Sequence, residues 1–239
     1  MINVLLTISL FSGVVYGGIL LGELLQAQRT PWGEANNHQQ LALNMDALLS
    51  RYGITNADQR ARMTAHAIFS SGWDQKVWHY NAWGAKRGTW PDSYYKMGTQ
   101  EVDTTGNTYP VPDEQWRAFK NWKEAIDDFL TRISPTSDNA GYQSASRYLI
   151  AGGPGYDARY WDSILAGGYY TASSFDGEAF SKLVARVRSE IFRADPTQNA
   201  AAQEFALDHI EQGASRGWWG LALLAVVGGL IAFCLTRKG

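Results

Sequence analysis

Trp73, Trp78, Tyr80, Trp83 and Trp90 fall within eighteen positions, directly after a stretch that ends Phe69-Ser70-Ser71-Gly72. Loops are where binding groups usually sit. Flat aromatic faces suit sugar rings, whose axial C–H bonds pack on them while the hydroxyls stay hydrogen-bonded. The same rings would serve equally well as core, because large aromatics dominate burial as well as interfaces. Residue types alone leave both readings open. Metal chemistry is not indicated, since His38, His66, His79 and His209 form no ligand-spaced cluster with cysteine or carboxylates; no cofactor is implied. A net charge of −2 gives no footprint for nucleic acid, and Cys234, the single cysteine, rules out an intrachain disulfide.

The element that must deliver these residues is a helix. Ala61, Ala65, Ile68 and Phe69 recur at helical spacing, which predicts one buried helix over Ala57–Ser71, started by Asn56 with Gln59 and stopped by Gly72. Leu41, Met45, Leu48 and Leu49 predict a preceding helix that Gly53 ends. Between Lys86 and Trp116 the composition turns to Thr, Val, Tyr and Gly with Pro91, Pro110 and Pro112, which reads as a small β-hairpin with Thr104-Thr105-Gly106-Asn107 at its turn. Asn121–Ile133 is amphipathic, with Trp122, Ala125, Ile126, Phe129 and Leu130 as the apolar stripe and Lys123, Glu124, Asp127 and Asp128 as a solvated face. A short helix carrying Tyr142, Tyr148, Leu149 and Ile150, a second over Tyr156–Ala166, and a closing helix with Phe180, Leu183, Val184, Val187 and Ile191 complete the domain.

The run from Ala65 to Lys86 resembles the signature of the peptidoglycan-cleaving glucosaminidase family that includes the flagellar rod-cap hydrolase. In that family a helix ends in Glu-Ser-Gly-Trp-Gly and is followed by Asn-x-Phe-Gly-x-Lys. Here the residues are Ser70-Ser71-Gly72-Trp73-Asp74 and Asn81-Ala82-Trp83-Gly84-Ala85-Lys86. Thr99-Gln100-Glu101 is similar to the family's Thr-x-Glu. Trp116-Arg117-Ala118-Phe119, with Trp122, Glu124, Ala125, Ile126 and Asp128, resembles its Phe-Arg-x-Tyr and Ser-x-x-Glu-Ser-x-x-Asp segment, and Gly168-Tyr169-Tyr170-Thr171 resembles its Gly-Tyr-Ala-Thr. The resemblance implies an α+β fold: a mostly helical, lysozyme-like domain with a small β-hairpin, here flanked by membrane helices.

It also implies roles. The family's helix-end Glu is the general acid that protonates the glycosidic oxygen, and Ser70 holds its place; a hydroxyl of very high pKa delivers no proton near neutral pH. Asp74, four residues beyond Ser70, and His66, four before it, are the candidates for a relocated acid, although Gly72 interrupts the helix before Asp74. Glu101, on the first hairpin strand, is either the second carboxylate that steadies an oxocarbenium charge or activates water, or an exposed strand Glu. Trp73, Asn81, Trp83 and Tyr169 are the expected substrate-binding residues. Tyr169 has the alternative of a core tyrosine after a turn.

The ends of the chain are apolar. Ile2–Gly22 carry no charged side chain and suffice to cross a bilayer, with neither a preceding Lys or Arg nor a small-x-small cleavage site. Gly13, Gly17, Gly18 and Gly22 are spaced for close helix–helix approach. Trp218–Leu235 is apolar throughout, with Trp218-Trp219 at one edge and Arg237-Lys238 at the other, which favours a cytoplasmic C-terminus and an extracytoplasmic domain. The expected organisation is a transmembrane helix or signal anchor over 1–25, a connector over 26–38, the domain over 39–194, a stalk over 195–216 entered by a helix break at Asp195-Pro196, in which Thr197–Gln212 reads as a short exposed helix or as stalk, and a second membrane helix over 217–236. Three functions fit: a glycan-binding relative impaired in catalysis, an active peptidoglycan hydrolase using a relocated acid, and a structural membrane protein of a phage virion or envelope assembly. The partners expected are peptidoglycan strands and a membrane, bacterial or virion.

Overall fold

The computed structural model describes residues 24–25, 32, 37–71, 77–102, 107–169 and 175–210. The architecture is a mostly helical α+β domain with two small sheets. Helices α1 (His38–Tyr52) and α2 (Ala57–Ser71) are joined by a tight turn at Gly53, whose φ of 111° closes the end of α1 with N–H bonds back to Leu49 and Ser50. Next come strands β2 (Tyr94–Lys96), β3 (Thr99–Val102), β4 (Thr108–Val111) and β5 (Gln115–Arg117). Helices α3 (Trp122–Arg132), α4 (Ala140–Ile150), α5 (Asp157–Ala166) and α6 (Gly177–Phe192) follow, with a 3₁₀ turn at Pro154–Tyr156.

Short polar side chains start the helices. Asn37 accepts from Gln40 N at 3.0 Å, Asn56 from Asp58 N at 2.9 Å and Gln59 N at 3.1 Å, Asn121 from Glu124 N at 2.9 Å, Asn139 from Gly141 N at 2.9 Å, and Asp176 from Ala179 N at 2.9 Å. Each satisfies backbone donors that the first turn cannot. Apolar stripes then fix the packing: α6 lies on α1 and α2, and α5 on α4 and α6, around a core of Leu41, Leu48, Met63, Trp122, Phe129, Trp161 and Phe180.

The expected hairpin is present as β3 paired antiparallel with β4, with Glu101 opposite Tyr109. A second sheet was not foreseen. Strand β1 (Leu24–Leu25) pairs parallel with Tyr94–Tyr95 of β2, which pairs antiparallel with β5. The membrane helix expected over 1–25 therefore cannot run to residue 25. Among the described residues no helix is long and apolar enough to cross a membrane, and the rest of 1–25, like 217–236, lies outside them.

The stalk also needs correction. Asp195-Pro196 ends α6 and at once starts another helix, α7, over 196–210. Asp195 accepts from Gln198 N at 2.9 Å, and Gln198 returns its side-chain oxygen to Asp195 N at 3.1 Å. With Pro at the first helical position this is a reciprocal cap. Ala202 and Ala206 of α7 are buried in the core, with Phe205 and Ile210 packed against it.

Candidate functional site

Ser70 ends up in the last turn of α2, where its hydroxyl donates to the His66 carbonyl at 3.0 Å. Gly84 passes beside its side chain: φ there is +62°, and a Cβ would stand in ordinary contact, 3.5 Å from Ser70 Cβ and 3.8 Å from the Trp116 ring. The glycine is thus required by backbone conformation rather than by crowding.

Asn81 shapes the loop that carries Gly84. Its side-chain oxygen accepts from Ala85 N at 2.7 Å, while its NH₂ donates to Ala85 O at 2.9 Å and to Arg117 O at 3.1 Å. Further bonds, Arg117 N to Ala85 O at 3.0 Å and Arg87 N to Gln115 O at 2.8 Å, sew the loop onto β5. Asn81 is buried, so the residue expected to bind substrate instead spends its amide on backbone.

Trp83 departs from expectation in the same way. Its ring is 1 % exposed, tilted on Phe129 at 4.9 Å, and its Nε1 donates to Met63 O at 3.0 Å. A ring covered on both faces offers none to a ligand, so the indole is no wall of a groove. Tyr80 and Trp90 pack edge-on against Trp122 and Phe119. Trp73 and Asp74 lie outside the described residues.

A cleft of about 240 Å³ opens beside Gly84 and Ala85. Lys86, Arg117 and Arg132 line it together with Tyr142, Tyr169 and the backbone of Gly168. Tyr169 donates its hydroxyl to Trp83 O at 2.6 Å, and burial pushes that phenol above its ordinary pKa, which keeps it a donor. Tyr142 is held 5.8 Å from Tyr169 because α4 begins in backbone contact with the end of α5. A Cβ on Gly141 would come within 2.4 Å of Gly167 N, and Asn139 Nδ2 donates to Gly167 O at 2.8 Å.

The charges are organised in two groups. Lys86 Nζ lies 2.7 Å from Glu101 and 3.0 Å from Glu114. Burial works to lower the Lys86 pKa, but hydrogen bonds and charge from the two glutamates outweigh it and hold the ammonium above its usual range. Glu101 itself is 8 % exposed, so the exposed-strand alternative does not hold. On the other side, Asp128 pairs with Arg117 and, at 2.9 Å, with Arg132. Spacing alone assigns Asp128 to a solvated face; its side chain is only 7 % exposed, with Arg117 of β5 laid against it. Of the lining side chains the sequence reading assigns only Tyr169 to the site; Lys86 and Arg117 enter it as motif residues without a role, and Arg132 and Tyr142 are missed. The signal for Arg132 is its position four residues after Asp128 on one helix face.

His66 is fully buried. Its Nδ1 lies 2.7 Å from the Tyr160 hydroxyl, and the rings of Trp161 and Tyr169 meet it edge-on at 5.2 and 5.0 Å. Burial first, then the charge of Arg132, holds its pKa well below the ordinary value. A neutral imidazole in the core is not the relocated acid. Among the described residues no group of three His, Cys, Asp or Glu side chains is placed to hold a metal ion.

No protein-family model matches this chain, and no curated protein matches it. Two solved structures do. A peptidoglycan hydrolase mutant from Sphingomonas sp. A1 is 16 % identical, with a TM-score of 0.49, covering 64 % of this chain and 99 % of that one. The catalytic domain of the autolysin Auto from Listeria monocytogenes is 18 % identical, with a TM-score of 0.41, covering 72 % of this chain and 90 % of that one.

Proposed function

We propose that this protein engages peptidoglycan strands through a glucosaminidase-like groove and cleaves them poorly or not at all, with apolar segments at its two ends holding the domain at a membrane. The observation that carries the reading is Ser70: where the resemblance expects a general acid, a serine stands beside the cleft with its hydroxyl bonded to its own helix. General acid catalysis contributes about 10² to 10⁴ in rate, and that term is missing at this position. Glu101, ion-paired with Lys86, holds the part of the second carboxylate and not of a proton donor.

The test uses the full-length chain in mild detergent with purified peptidoglycan. We expect co-sedimentation with the polymer, release of reducing ends at background, and measurable release once Ser70→Glu supplies the acid. Robust cleavage by the native chain that disappears in Glu101→Gln or Asp74→Asn would establish an active hydrolase with a relocated acid. Failure to sediment would remove glycan binding altogether and leave a structural role for the domain.

A further inference from the structure

The polar side chains that line the cleft, among the described residues, are three cations and two phenols, with no carboxylate. The balancing carboxylates sit elsewhere, and they are shared unevenly. Lys86 has two, Glu101 and Glu114. Among the described residues Arg117 and Arg132 have only Asp128 between them, so there one positive charge is in excess at the arginine wall.

That wall also has donors to spare. A guanidinium carries five N–H groups in a planar fork that matches a carboxylate. Arg117 commits Nε to Lys86 O at 3.0 Å and Nη1 to Asp128, and Arg132 commits Nε to Asp128 and a hydrogen bond to Tyr169. Arg117 further lies over the Trp90 ring at 5.0 Å and Arg132 over the Tyr169 ring at 4.9 Å, which fixes both forks before any ligand arrives. Their side chains are only 16 % and 19 % exposed, and an ionic contact is stronger there than in bulk water.

We propose that the Arg117–Arg132 wall receives a carboxylate carried by the polymer, so that the groove selects acidic over neutral aminosugar chains. This rests on the glycan reading above. The carboxylate can come from an acidic substituent of the sugar or from a peptide stem, and separate probes tell these sources apart.

Binding of the full-length chain in mild detergent is measured for peptide-stripped wall glycan, the same glycan after carbodiimide amidation, neutral N-acetylglucosamine oligomers, and free stem peptides. Amidation is expected to weaken binding about tenfold or more, the size of a lost charge-assisted contact. Added salt should weaken the acidic probes and spare the neutral oligomers. Tighter binding of stripped glycan than of stem peptide assigns the sugar as the source, and the reverse assigns the peptide. Arg117→Gln should abolish the difference between native and amidated glycan; should that variant not fold, the comparison of probes on the native chain decides alone. Equal binding of native, amidated and neutral glycan overturns this inference and leaves the glycan reading standing. No binding to any glycan overturns both.

Discussion

His66 stands one turn before Ser70, where spacing offers it either a proton to give or a place in the core. The core wins because Phe129, Tyr160, Trp161 and Tyr169 surround the ring and leave it no water, and burial then penalises the imidazolium. A stability signature follows. The unfolded chain takes a proton at His66 near pH 6.5, whereas the folded chain, with its pKa held well below that, does not. Stability from this group is therefore complete above about pH 6.5 and is lost as pH falls below it, by up to about 1.4 kcal/mol per pH unit. The carboxylates with lowered pKa values, Asp58 and Asp127, act lower, below about pH 4, and do not overlap that window. Denaturant midpoints between pH 5 and 8 should slope for the native chain and flatten over this window in His66→Gln; an unchanged slope in the variant would assign the effect elsewhere. What spacing conveys at this scale is which residues share a face, and what it withholds is which face meets solvent. Asp128 reads as a wetted charge and Trp83 as an open platform for the same reason: the partners that cover them, Arg117 of β5 and Phe129 of α3, lie on other elements, which local spacing does not report.

At the level of elements, apolar periodicity and capping residues make α1, α2, α3 and α6 legible in sequence, since a helix that buries one face must repeat near 3.6 residues. The joints between helices carry no such signal. Arg62 shows this: it is fully buried in α2, with Nε on Asp157 at 2.7 Å and its Nη groups on the carbonyls of Leu149, Ala151 and Gly153 at 3.0, 2.6 and 2.6 Å. Those carbonyls belong to the end of α4 and the loop beyond it, where a helix leaves acceptors unpaired. Arg188 of α6 completes the joint, reaching Asp157 at 2.6 Å and Asp58 at 2.8 Å. Four elements thus meet on one ionic cluster whose centre, Arg62 with Asp157, is buried. Removing one partner of such a cluster strands the rest in a low-dielectric interior, so Arg62→Met should cost about 3–5 kcal/mol by chemical denaturation. Lys182→Ala, which breaks the exposed i,i+4 pair with Glu178, should leave the midpoint where it is. Equal effects of the two substitutions would show that the cluster contributes no more than a surface pair.

For the whole molecule, the question is where the domain stops, and both borders lie further out than composition indicates. On one side Leu24–Leu25 adds a strand to β2; two residues of strand between Glu23 and Gln26 have no period to detect, and their register depends on a partner about seventy positions away. On the other side, α7 looks like a polar stalk because its apolar face is mostly alanine, a residue that marks close packing no more than it marks exposure. In the structure Ala202 and Ala206 are 2 % and 0 % exposed, and Gln198 of α7 donates to Gln39 of α1 at 2.9 Å. α7 is therefore a load on the core, coupling whatever lies beyond residue 210 to the body of the domain. Ala206→Asp would place a carboxylate where no water reaches and should destabilise the chain by about 3 kcal/mol or more, while Glu204→Ala, on the exposed side of the same helix, should have no measurable effect. Matching, negligible shifts from both substitutions would return 196–210 to the status of a stalk and the domain boundary to residue 194.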